Sequence, residues 1–229
     1  MSNKKQSPRR AFLGNIAAGA AALGMMSIPS PIKAAPSLFK DTDVNDADKW
    51  FDQIKGKHRI VYDSPEPNGI SPFVWSKVFL LTNQATGTPE KETNVLVVLR
   101  HASIPFAMQS SMWTKYNFGE MFKVTDTRTN AVATSNPFWQ PKPGDYKVPG
   151  FGAVEIGINE LQKSGVMFCV CNAAMTVYSA VVADKMKLNA ADVLKEWTAN
   201  VLPGVQIVPS GVWALGRAQE RKCAYCFAG

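Results

Sequence analysis

Val166-Met167-Phe168-Cys169-Val170-Cys171 is an unbroken apolar run bounded by Gly165 and Asn172. It is too short for a helix, and a run of this kind forms a parallel strand buried on both faces. From Asn172 onward, Ala173, Ala174, Val177, Ala180 and Val181 recur at helical spacing, so the chain passes directly from strand into helix. That transition commits the chain to an α/β fold and sets Cys171 at a helix N-terminus. Unpaired amide N–H groups and the positive end of the helix dipole stabilise an anion there, which favours a thiolate. Free cysteine is also among the most buried residue types, so simple packing explains Cys171 equally well on spacing alone.

The other elements follow from pattern and punctuation. Asn45 to Lys55 carries Trp50, Phe51 and Ile54 on one face and predicts a short amphipathic helix over a sheet edge. His58 to Tyr62 is a first strand, followed by a turn-rich loop from Ser64 to Gly69. Ser71 as N-cap and Pro72 at the first helical position predict a helix ending near Gly87. Asn94 to Leu99 is a second buried strand, so the unit is βαβ with a right-handed crossover. A helix is expected over Gln109 to Phe122, with Met112, Trp113, Tyr116 and Met121 inward, and another over Ala153 to Lys163. Asn189 with Asp192 caps a helix that turns Leu194 and Trp197 inward. A strand over Val205 to Val208 precedes Pro209-Ser210-Gly211 and a helix through Val212, Leu215 and Ala218. Cys223 to Phe227 closes the chain as an edge strand or a tail.

Residues 125–152 are irregular, with Pro137, Pro141, Pro143 and Pro149 among Gly144, Gly150 and Gly152. The aromatics Phe138, Trp139, Tyr146 and Phe151 read as exposed. A long loop of this kind is a lid, a binding loop or an oligomer contact, unless its rings staple it to the core.

Open parallel sheets bind ligands outside the carboxyl ends of their strands. Cys171, Arg100 and His101 fall at that edge, and His101 could hydrogen-bond or deprotonate the Cys171 thiol if their strands are neighbours. A loop histidine bonded to backbone is the plainer account. Asp63, Asn172 and Ser210 are supporting or ligand-binding candidates at the same edge, although an N-cap role is sufficient for Ser210.

Ser7-Pro8-Arg9-Arg10-Ala11-Phe12-Leu13 resembles the twin-arginine export motif, and Ile32-Lys33-Ala34 is an acceptable cleavage site. The apolar segment between them is interrupted by Asn15, Gly14, Gly19 and Gly24, too weak for a permanent span, so cleavage after residue 34 is favoured and no stable membrane span is expected afterwards. Residues 35–55 form an extension and 56–229 the α/β domain. Removing Lys4, Lys5, Arg9, Arg10 and Lys33 lowers the formal net charge from +7 to +2. A charge that small provides no electrostatic footprint for nucleic acid. Export through the Tat machinery implies a periplasmic or external location, an oxidising setting for the four cysteines.

The strand-Cys171-helix element resembles the DsrE/DsrF-like family, as do Gly56 to Asp63, Asn94 to His101, Asn136-Pro137-Phe138, and Pro203 to Glu220, and the likeness is greatest to its Tat-exported branch. The resemblance spans most of the chain after about Ala47. It implies a three-layer α/β sandwich with a mainly parallel sheet of about five strands, homo-oligomers, and, in characterised members, persulfide carriage on the cysteine.

Three functions remain open. In the first, Cys171 handles sulfane sulfur. In the second, Cys169, Cys171, Cys223, Cys226 and His101 supply soft ligands for copper or zinc, although nothing in the sequence requires a cofactor. In the third, the chain is a ligand-binding or structural oligomer. Cys169 and Cys171 lie two apart on one strand, a spacing that disfavours a mutual disulfide, whereas Cys223 and Cys226 have the CxxC spacing of a disulfide or half a metal site. No G-x-G-x-x-G, Walker loop, G-x-S-x-G elbow or H-E-x-x-H is present, so nucleotide, serine-hydrolase and zincin readings have no support.

Overall fold

The computed structural model describes residues 41–228; the expected leader over 1–34 and the first part of the extension lie outside them. A single sheet organises the described residues. Its strands are β1 (His58–Ser64), β2 (Thr93–Leu99), β7 (Met167–Cys171), β8 (Val205–Val208) and β9 (Ala224–Phe227), all parallel, in the order β8-β7-β2-β1-β9. Helices cover both faces, giving the α/β three-layer architecture that the buried apolar strands require. Among the described residues no helix is long and apolar enough to cross a membrane.

Alternation along the strands assigns each side chain to a face. Tyr62, Val95, Val97, Leu99, Phe168 and Val170 enter the larger core, and Val61, Leu96, Val98, Cys169 and Val208 the smaller one. The larger core is closed by α2 (Ser71–Ala85), α5 (Ile158–Lys163), α6 (Asn172–Met186) and α7 (Ala190–Ala199). The smaller is closed by Ala214 and Ala218 of α8 (Gly211–Glu220) and by Phe51 and Ile54, which follow α1 (Asp41–Trp50). The chain therefore steps across the sheet from β1 to β8 over one face and returns beneath the other to pair β9 with β1.

Several local expectations are corrected. Ile70, not Ser71, occupies the cap of α2, and Ser71 and Pro72 are its first helical residues. The backbone turn at 67–71, with Gly69 N–H bonded to Pro67 O and Ser71 N–H to Asn68 O, already curls the chain into the helix. The helix expected over 109–122 divides into α3 (Ser110–Tyr116) and α4 (Phe118–Met121) at Asn117, which adopts the left-handed conformation that asparagine tolerates (φ 53°). The helix expected from Ala153 starts only at Ile158, because Ala153 pairs with Lys147 in a hairpin and Val154 N–H bonds to Tyr146 O. In α6 the buried side chains are Met175, Ser179, Val182 and Ala183, and the Val177 and Val181 stripe faces outward.

The 125–152 segment is not structureless. It holds two small antiparallel hairpins, β3 (Thr125–Asp126) with β4 (Ala131–Val132) and β5 (Lys147–Val148) with β6 (Gly152–Ala153). Three of its four aromatics turn inward: Phe138 and Tyr146 are buried and Trp139 is partly buried. Phe138 stacks on Phe73 at 4.0 Å and on Tyr146 at 5.3 Å between ring centroids. Asn136 donates to the carbonyls of Phe106 and Met108 and accepts from Phe138 N–H, and the Tyr146 hydroxyl donates to Pro137 O. Only Phe151 is strongly exposed, at 74%.

Candidate functional site

Register brings the site together at the carboxyl edge of the sheet. Leu99 of β2 pairs with Val170 of β7, so the next residues, Arg100 and Cys171, follow at adjoining strand ends. Cys171 in turn pairs with Val208 of β8, and Ala173 N–H bonds to Pro209 O, which ties the start of α6 to the end of β8. Here α6 leaves toward one face and α8 toward the other, so two helix N-termini open onto the crevice where ligands of parallel sheets bind.

Cys171 caps α6 itself: its Sγ accepts the N–H of Ala174 at 3.3 Å, and the residue is 6% exposed. A sulfur in this position receives hydrogen-bond donation at a helix N-terminus, an arrangement suited to holding a thiolate or a persulfide anion. Ser210 performs the same service for α8, its Oγ accepting Trp213 N–H at 3.2 Å, which accounts for that residue as a cap. Asn172 helps to line a groove of about 780 Å³, together with residues that include Leu194, Lys195, Thr198, Gln206 and Ile207.

Arg100 is held in place from below. Its Nε and Nη2 donate to the two carboxylate oxygens of Asp63 at 2.6 and 2.9 Å, and the Tyr225 hydroxyl donates to Asp63 Oδ2 at 2.9 Å. The hydrogen bond to Asp63 raises the Arg100 pKa, burial opposes this, and the charge of Asp63 and the neighbouring Tyr225 and Cys171 add to the rise. The stem of Arg100 lies across Gly211, where a Cβ would meet Arg100 Cβ at 2.5 Å and Cδ at 2.8 Å. Tyr225 is a site residue that pattern reading missed; its partner lies 162 positions away, and only the parallel pairing of β9 with β1 brings the two together.

His101 satisfies the strand-neighbour condition, since β2 and β7 are adjacent, but its ring engages other groups. Nδ1 lies 3.1 Å from the Tyr178 hydroxyl, and Nε2 lies 3.6 Å from Glu66 Oε1. Neither Tyr178 nor Glu66 was singled out by the sequence.

The remaining cysteines are kept apart. Cys169 is fully buried in the smaller core, and burial pushes its thiol up. Cys223 is buried in that core as well, where burial drives its pKa to about 11 against the opposing charges of Arg59 and Arg221. Cys226 packs against the larger core on the other face. All four thiols are free, and among the described residues no three His, Cys, Asp or Glu side chains gather in a way that would hold a metal. The donor set considered for copper or zinc is thus divided between sheet faces.

No family model matches the chain, and no curated protein matches it. Among solved structures, it is similar to a protein of unknown function from Methanobacterium thermoautotrophicum, with 16% identity and a TM-score of 0.38 over 74% of this chain and 98% of the other.

Proposed function

We propose that the chain is an exported thiol protein of the DsrE-like type, in which Cys171 receives sulfane sulfur and passes it on. The observation that carries this reading is the Cys171 sulfur accepting Ala174 N–H at the head of a fifteen-residue helix. Arg100 on the adjoining strand supports it further. In the step proposed, the Cys171 thiolate attacks the outer sulfur of a donor persulfide. A new S–S bond forms at Cys171, the donor's S–S bond breaks, and the donor leaves as its thiolate. No external oxidant or reductant is needed. The acceptor thiol reverses the same chemistry. Export through the Tat machinery to the periplasm and assembly as a homo-oligomer belong to this proposal through the family resemblance.

The test is sulfur loading, followed by intact mass. The parent protein should gain the mass of one sulfur atom when treated with a small persulfide, and Cys171→Ser should not. A serine variant that loads as well as the parent would remove Cys171 from the account. The groove beside Asn172 favours a second reading, a ligand-binding protein without sulfur transfer; it predicts that Cys171→Ser alters stability alone.

A further inference from the structure

Asp63 occupies only part of the Arg100 guanidinium. Nε and Nη2 are bound to its carboxylate, whereas Nη1 has no protein acceptor among the described residues, and the side chain stays 26% exposed. Arginine presents its donors in a rigid planar fork, so fixing one edge aims the other. Three features do the fixing here: the nearly buried Asp63, the Tyr225 hydroxyl on that carboxylate, and the bare backbone of Gly211 beneath the arginine stem. The strand end that carries Arg100 adjoins the one that carries Cys171, and the two side chains are close enough for the thiol to act on the guanidinium.

We infer that Arg100 is the specificity-determining residue of the Cys171 site, and that the molecule exchanging sulfur there is a small thiol or persulfide carrying a carboxylate. This rests on the sulfur-transfer reading and names its substrate class. Cys171 is 6% exposed, so the partner has to be slender enough to enter a recess. A guanidinium donating to a carboxylate forms one of the stronger hydrogen bonds available in water, and its loss should lower selectivity about tenfold.

Replacing Arg100 alone would strand the buried Asp63 carboxylate and risk the fold. The comparison is therefore Asp63→Asn/Arg100→Met against Asp63→Asn, with Asp63→Asn/Arg100→Lys as the charge-retaining control. One readout is independent of sulfur transfer: the ratio of alkylation rates at Cys171 for iodoacetate and iodoacetamide, mapped by peptide mass. The ratio should fall about tenfold in the methionine variant and recover in part with lysine. Gly211→Ala, which displaces the arginine stem without changing any charge, should lower it as well. The second readout is loading from the persulfide of mercaptopropionate against that of mercaptoethanol, where the anionic donor should be favoured through KM and the preference lost with Arg100. An alkylation ratio unchanged by the loss of Arg100 overturns the inference. A ratio that falls as expected while neither persulfide loads sinks the sulfur-transfer reading and leaves anion recognition by Arg100 standing.

Discussion

The hydroxyl of Tyr178 lies 3.1 Å from Nδ1 of His101, and that contact holds the histidine ring over the second turn of α6. His101 adopts a left-handed backbone conformation (φ 50°), which non-glycine residues rarely enter. Glu66 Oε1 faces its other nitrogen at 3.6 Å, so the ring meets Tyr178 and Glu66 rather than Cys171.

Cys171 chemistry should therefore not depend on His101 as a base. His101→Gln and Tyr178→Phe are expected to change the alkylation rate of Cys171 less than about threefold, well under the 10²-fold or more that general-base catalysis contributes. Measured rates across pH should have the parent's profile. A profile that loses a limb in His101→Gln would restore the histidine as the base.

Phe138 fastens the 125–152 segment to the core, stacked between Phe73 and Tyr146. Phe138→Ala should destabilise the protein by about 3–5 kcal/mol in urea unfolding, the usual cost of emptying a buried aromatic site. Phe151→Ala, at a residue 74% exposed, should stay within about 0.5 kcal/mol of the parent. Equal effects at the two positions would contradict the arrangement of this segment.

The comparison of sequence with structure turns on which signals are local. The strand ending at Cys171 and the helix starting at Asn172 were legible because a buried apolar run and helical spacing each act within a few residues. Which face of α6 is buried was not legible, because apolar residues lie on both sides of the helix; Met175 and Val182 go in while Val177 and Val181 stay out. The density of proline and glycine marked 125–152 as irregular, but it carries no information on ring burial, which Asn136 and Tyr146 settle through backbone hydrogen bonds. At the site, Cys171 and Arg100 were visible as strand-end residues. The Tyr225–Asp63–Arg100 chain was not, because it depends on the return of the last strand to the side of the first.

Acid stability should depend on Asp126. The Arg128 side chain, bonded to both carboxylate oxygens, holds Asp126 below its ordinary pKa, against the opposing effect of burial. A carboxylate depressed in the folded state contributes stability that is present above its unfolded pKa of about 4 and is lost as pH falls through the folded value. Denaturation midpoints should thus decline from about pH 5 downward. Asp126→Asn should flatten that decline without abolishing it, since Asp145 and Glu196 are depressed too, and an acid limb identical to the parent's would show that this pair does not contribute.

The most direct test of the central claim is peptide mapping of all four cysteines by mass spectrometry, on protein purified under thiol-trapping conditions from the cells that make it. The account predicts that the Cys171 peptide carries an additional sulfur or a trapped reactive thiol. It also predicts that Cys169 stays unreactive until unfolding and that Cys223 and Cys226, which pack against opposite faces of the sheet, are not linked to each other. An inert, unmodified Cys171 would contradict it.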